Sequence, residues 1–215
     1  PFNIVNNKTL LEHSINNFKN FTEIKKTIIV YNKKHKKYLG KLKLNKTLKI
    51  VGGKTRQEST YKALQKIKGM GCKKVLIHDS ARPFPSKELI KNVIHKLKKN
   101  HAVLPIVKIN DATKRAEKNI IFKNIERNSL RFAQTPQGFT FSKILEKHRD
   151  NINESFDDDS ALFTNYGEKV LAVNGSKANL KITDKEDLDI FRSLKKGKTF
   201  NGIGFDIHRL VKGRK

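Results

Sequence analysis

The chain has one cysteine, no tryptophan, five prolines and 20 acidic residues against 47 lysines and arginines. The lone Cys72 excludes an internal disulfide and any zinc site built on cysteines, which suits a reducing compartment. It reads as a packed or idle thiol. No apolar run approaches the roughly 18 residues of a membrane span, and the first residues do not read as a signal peptide. A soluble, cytoplasmic protein without a membrane partner is expected. Aromatic residues make up 8% of the chain and do not interleave with the lysines as a stacking groove for nucleic acid requires.

What is abundant is positive charge, with a formal net value of +27. Counterion release from phosphates makes such a chain a candidate nucleic-acid binder, but only if the charge is clustered. Here lysines run from Lys8 to Lys215, and the densest run, residues 32–38, reads as a solvated face. Nucleic acid is therefore not the expected partner, although a phosphate-bearing ligand would be attracted. At 215 residues and 36% hydrophobic content, the chain can bury one sizeable core or two small ones.

Short β-branched runs alternate with helical patterns. Thr27–Val30, Leu48–Val51, Val75–Ile77 and Ala102–Val107 read as strands. Leu11, Ile15 and Phe18 fall at helical spacing, as do Ile90, Val93, Ile94 and Leu97 after a capping Ser86. Thr183-Asp184-Lys185-Glu186 reads as a capping box for a helix carrying Leu188, Phe191 and Leu194. This alternation predicts an α/β protein with a mostly parallel sheet and helices on both faces. Residues 109–130 break the pattern and predict a hairpin projecting from the sheet as a β-arm.

Ligands of open α/β sheets bind beyond the carboxyl ends of strands, and two such ends carry chemistry. The first is GGKTRQES, residues 52–59. Gly52 and Gly53 let the backbone approach a ligand, Arg56 offers a charged fork, and Ser59 is expected at a helix start whose amides favour an anion. A plain structural turn with a capping serine fits equally well. The second is HDSARP, residues 78–83. Asp79 can hold a hard cation while Arg82 holds a phosphate, or the two can simply brace the loop as an ion pair. His78 reads as a packed residue.

Taken together, these two elements resemble the nucleotide-binding core of the 2-C-methyl-D-erythritol 4-phosphate cytidylyltransferase family, of Rossmann-like nucleotidyltransferase fold. The resemblance continues through residues 9–15, 111–115, 126–128, 134–139, 157–162 and 179–183, and covers about residues 1 to 192. It implies transfer of CMP from CTP to methylerythritol 4-phosphate, with release of pyrophosphate, in non-mevalonate isoprenoid precursor synthesis. It further implies that Gly52, Gly53, Arg56, Ser59, Asp79 and Ala81 bind the nucleotide, with Asp79 also holding Mg²⁺. Arg82, Thr113, Arg127, Lys181 and Thr183 would bind the methylerythritol phosphate, and Arg127 and Lys181 would aim its oxygen at phosphorus. Read without the resemblance, Arg127 is a surface arginine, and Lys181 and Thr183 are strand residues beside a helix cap. The family implies a dimer through the β-arm, and a plastid location if the source is eukaryotic.

Two departures stand out. The family begins with a strand, a glycine-rich basic phosphate loop and a Pro-Lys pair; this sequence opens at Pro1-Phe2, where that pattern ends, and Phe156 stands where the family often has threonine. At the other end NGIGFDIHRL, residues 201–210, resembles the first strand of 2-C-methyl-D-erythritol 2,4-cyclodiphosphate synthase. Asp206 and His208 alternate onto one strand face, as two ligands of one ion require, and the resemblance implies Zn²⁺ or another divalent cation. The expected organisation is a cytidylyltransferase domain over 1–195, a linker over 196–200 and the start of a trimer-forming synthase domain over 201–215. Such a piece of a bifunctional fusion would lack both ends. The competing readings are a ribitol 5-phosphate cytidylyltransferase, a basic nucleic-acid binder and an inactive domain that dimerises through the arm.

Overall fold

The computed structural model describes residues 1–42 and 47–195, the last two by backbone alone. The chain opens on a hairpin of β1 (Ile4–Val5) and β2 (Lys8–Thr9), turned by Asn6 and Asn7 at φ 49° and 61°. Asparagine tolerates this left-handed region better than most side chains. Thr9 then caps α1 (Leu10–Phe18): its hydroxyl accepts from the Glu12 N–H, and the Glu12 carboxylate accepts from the Thr9 N–H.

Next come β3 (Thr27–Tyr31), the short α2 (Lys36–Gly40), β4 (Thr47–Val51), α3 (Arg56–Ile67), β5 (Lys74–Ile77), α4 (Lys87–Leu97) and β6 (Ala102–Lys108). The arm follows as β7 (Thr113–Glu117) and β8 (Ile120–Ile125), paired antiparallel across Lys118 and Asn119 at φ 44° and 70°. Positive φ at both turn residues matches the right-handed twist of the strands. The chain returns through β9 (Arg131–Ala133) and β10 (Gln137–Thr140), then α5 (Phe141–Asp150), α6 (Ala161–Thr164), β11 (Leu171–Asn174) and α7 (Lys185–Lys195).

The central sheet runs β11-β6-β10-β5, with β9 also on β6, while β3 and β4 pair in parallel as a separate ribbon. The α/β class, the mostly parallel sheet and the projecting arm are as expected, with β5, β6 and β11 running the same way and two strands running against them. β11 lies parallel to β6, whereas β9 and β10 lie antiparallel to it. Having gone out along β6 and around the arm, the chain comes back beside the strand it left.

Alternation along β10 divides the core. Phe139 faces α3, α5 and α6, where it joins Leu64, Ile67, Ile144, Leu162 and Phe163 and lies stacked on the Phe163 ring at 5.4 Å. Its neighbour Gly138 faces α4, and a Cβ there would meet Leu97 and Val93 at 3.0 Å. Glycine lets this helix, carrying Leu89, Val93 and Leu97, close on Val103 and Val173. Both faces of the sheet are thus covered.

Phe139 is fully buried, whereas Phe122 on the arm is 54% exposed. Replacing Phe139 by alanine is expected to cost about 3–5 kcal/mol by denaturant titration, and Phe122→Ala no more than about 0.5 kcal/mol.

Candidate functional site

The loop between β4 and α3 folds back on itself. Thr55 is the cap of α3, accepting from the Glu58 N–H, so Ser59 lies one turn inside the helix rather than at the expected start. From there its hydroxyl donates to the Thr55 carbonyl at 2.8 Å and accepts from the Gly53 N–H at 2.9 Å. The Glu58 carboxylate accepts from the Lys54 N–H at 2.6 Å. A Cβ on Gly53 would sit 2.3 Å from Glu58 Cδ, and one on Gly52 would sit 2.7 Å from Ser59 Oγ. The glycines are there because two side chains close over them, and those side chains already hold the Gly53 and Lys54 amides.

The end of β5 is ordered by a chain of hydrogen bonds. The Asp79 N–H donates to Thr135 Oγ at 3.1 Å, that hydroxyl donates to His78 Nδ1 at 2.9 Å, and His78 Nε2–H donates to the Arg82 carbonyl at 2.9 Å. His78 is therefore a neutral, packed brace. The Arg82 N–H returns to the Asp79 carbonyl at 2.9 Å, and the Ile182 N–H reaches the Ala81 carbonyl at 2.8 Å. That last bond lays the segment around Lys181 against the loop.

Three cations then surround one carboxylate. Lys181 Nζ lies 3.3 Å and Arg82 Nε 4.0 Å from Asp79 Oδ2, and Arg56 Nε lies 3.7 Å from Oδ1. The local excess is positive, as a polyanionic ligand requires. Arg82 is anchored through its other nitrogens, donating to the Asn179 carbonyl at 2.8 Å and the Ala133 carbonyl at 3.3 Å. Burial lowers its pKa, with Asp79 opposing.

Arg56 also reaches inward. Its Nη2 lies 2.7 Å from Oδ2 of Asp159, a carboxylate 1% exposed whose Oδ1 accepts from His148 Nε2 at 3.0 Å. Burial lowers the Arg56 pKa, but the Asp159 and Asp79 carboxylates outweigh it and raise the pKa overall. Burial likewise pushes Asp159 up, and the His148 hydrogen bond and the Arg56 charge prevail to hold it below the usual carboxylate range. The acidic turn 157–159 is conspicuous in the sequence, but nothing in its spacing pairs one of its acids with His148.

Thr113, Arg127 and Thr183 are not gathered around Asp79. The Thr113 hydroxyl lies 3.5 Å from the Asp111 carbonyl, and Arg127 Nη1 donates to the Asn110 carbonyl, both at the root of the arm. Lys181 and Thr183 lie in extended loop, not on a strand, because the segment makes a single backbone bond to the loop beside it rather than a ladder. The Thr183 N–H and hydroxyl donate to the Asp187 carboxylate at 2.8 and 2.7 Å, while Asp184 accepts from the Asp187 N–H at 2.9 Å. The cap is thus one residue later than Thr183, with Asp187 in place of Glu186. Asp206 and His208 lie outside the described residues. Among the described residues no group of three or more His, Cys, Asp or Glu could hold a metal ion.

Burial pushes the His78 imidazole from 6.5 down to about 4, against the raising effect of the Arg82 carbonyl and Asp79. Between those values the unfolded chain binds the extra proton, so stability is complete above pH 6.5 and falls as pH drops toward 4. His78 is expected to contribute a loss of about 2 kcal/mol between pH 7 and pH 5, visible in urea midpoints and absent from His78→Gln.

The chain matches the 2-C-methyl-D-erythritol 4-phosphate cytidylyltransferase (IspD) family over residues 1–194. It is 39% identical over its whole length to the bifunctional enzyme IspD/IspF of Pelagibacter ubique, of which it spans 56%. It is 33% identical to the 2-C-methyl-D-erythritol 4-phosphate cytidylyltransferase of Bacillus mycoides, covering 89% of this chain and 87% of that protein. Among solved structures, the 4-diphosphocytidyl-2C-methyl-D-erythritol synthase of Anaerococcus prevotii superposes with a TM-score of 0.79 at 29% identity, over 89% of this chain and 87% of that one. The bifunctional IspDF of Campylobacter jejuni gives a TM-score of 0.73 at 29% identity, over 85% of this chain and 46% of that one. Matched along nearly all of its length, and covering most of the single-function relative, the chain belongs to the 2-C-methyl-D-erythritol 4-phosphate cytidylyltransferase family.

Proposed function

We propose that the protein transfers a cytidylyl group from CTP to 2-C-methyl-D-erythritol 4-phosphate and releases pyrophosphate, in the non-mevalonate route to isoprenoid precursors. The observation that carries this reading is the single carboxylate of Asp79 ringed by Arg56, Arg82 and Lys181, in a chain of this family. A phosphate oxygen of the methylerythritol attacks the α-phosphorus of CTP. The new oxygen–phosphorus bond forms as the bond to the β-phosphate oxygen breaks, and the electron pair leaves with pyrophosphate. Little covalent work falls to the protein, so alignment and charge neutralisation are its contribution.

Gly52, Gly53, Ser59 and Ala81 form the cytidine side of the site, with Arg56 and Asp79 beside the ribose and phosphates. Arg82 and Lys181 face the methylerythritol phosphate, and Thr183 joins them by turning its hydroxyl from Asp187 to the bound phosphate. Thr113 and Arg127 sit at the arm root and join this group if the arm of a second copy is seated against the site, which is the dimer proposed here. Asp79 alone cannot enclose a metal ion, but Mg²⁺ commonly takes one or two carboxylates and completes its shell with substrate phosphates, so the residue fits that use. Bound there, Mg²⁺ would supply neutralisation of the nucleotide phosphates.

The synthase-like segment belongs to the same proposal: Asp206 and His208 serve as two ligands of Zn²⁺ or another divalent cation in a trimeric second domain. The bifunctional relatives, of which this chain spans about half, support that arrangement. Among the described residues no helix is long and apolar enough to cross a membrane.

The test is pyrophosphate release by the full-length protein from CTP and methylerythritol 4-phosphate with Mg²⁺. Lys181→Met is expected to lower kcat/KM by about 10²- to 10³-fold. Turnover of ribitol 5-phosphate in place of methylerythritol 4-phosphate would reject the substrate assignment.

A further inference from the structure

Arg56 touches both the candidate site and the buried acid behind it. Its guanidinium spans two carboxylates, 2.7 Å from Asp159 through Nη2 and 3.7 Å from Asp79 through Nε. The two contacts are unequal. Asp159 is 1% exposed, so its attraction acts in a poorly screened interior, whereas the Asp79 side chain is 21% exposed and the contact is longer. Asp159 is itself fixed from behind, because its Oδ1 accepts from His148 Nε2 at 3.0 Å. The His148 ring is fully buried and lies parallel to Tyr61 at 6.1 Å, so it has no freedom to swing away.

We infer that Asp159, seated on His148, is a positioning residue that holds the Arg56 guanidinium back from Asp79 and so keeps that carboxylate available to the nucleotide and its cation. The inference rests on the reading of Asp79 as part of a CTP site. Without the negative charge of Asp159, the guanidinium would turn to Asp79. The guanidinium, now 3.7 Å from a carboxylate that Lys181 and Arg82 also approach, would then close to hydrogen-bond distance. Asp159→Asn keeps the shape and removes the charge.

Two readouts on the full-length protein test this. The first is the Nε–Hε NMR signal of Arg56, assigned by its loss in Arg56→Gln. It is expected to shift in Asp159→Asn, and an unchanged signal overturns the inference. The second is the Kd of CTP with Mn²⁺, measured through a double-mutant cycle. Asp159→Asn is expected to weaken binding about tenfold, and adding Arg56→Gln to weaken it no further, because Asp159 acts through Arg56. Multiplying losses, or wild-type affinity in Asp159→Asn, would count against it. If Asp159→Asn does not fold, His148→Gln is measured in the same way; failure of both to fold marks the pair as core residues only and also overturns the proposal. A wild-type protein that binds no CTP removes the functional reading, while the Arg56 signal still decides whether Asp159 holds the guanidinium.

Discussion

The ion pair between Arg56 and the buried Asp159 is the constraint on which the arrangement of the site depends. Arg56 opens α3 directly after the glycine loop, Asp159 immediately precedes the cap of α6, and His148 rides on α5. One guanidinium therefore ties the loop after β4, the loop after β5 and two helices of the outer layer. Removing Arg56 would leave the buried Asp159 carboxylate without its cation, whereas removing Asp159 leaves a guanidinium that still reaches solvent. The local positive excess around Asp79 is tolerable because the nearby Asp159 carboxylate offsets part of it.

The layers that present the site were legible because their signals are local. Ser86 caps α4 by accepting from the Leu89 N–H, and the β-branched runs at 27–30, 48–51, 75–77 and 102–107 all lie in strands. The hairpin over 113–125 was equally plain from its polar turn. β10 was not, since Gln137-Gly138-Phe139-Thr140 has neither β-branched bulk nor clean alternation, and its pairing depends on strands far away in sequence. The antiparallel returns of β9 and β10 left no signal for the same reason, because only tertiary pairing decides on which side of β6 the returning chain lies.

The site was legible to a lesser degree. Asp79, Arg82 and Arg56 stood out at strand ends, and the structure brings all three together with Lys181. Ser59 kept its importance but changed its work, from helix start to clasp of the glycine loop. His148 left no trace, since a histidine in the last turn of an amphipathic helix looks like a dipole partner until its buried carboxylate is seen.

Gly138 sets how closely α4 approaches the sheet. With Leu97 and Val93 only 3.0 Å from where its side chain would begin, it acts as a spacer of zero height between sheet and helix. The neighbouring Phe139 fills the opposite layer with a full ring. Adjacent positions on one strand thus bring α4 close on one face and fill the layer of α3, α5 and α6 on the other, the layer whose helices carry Arg56 and His148. Of the charged pair it is the Asp159 end that this layer shields, while the guanidinium stays half-open to the site.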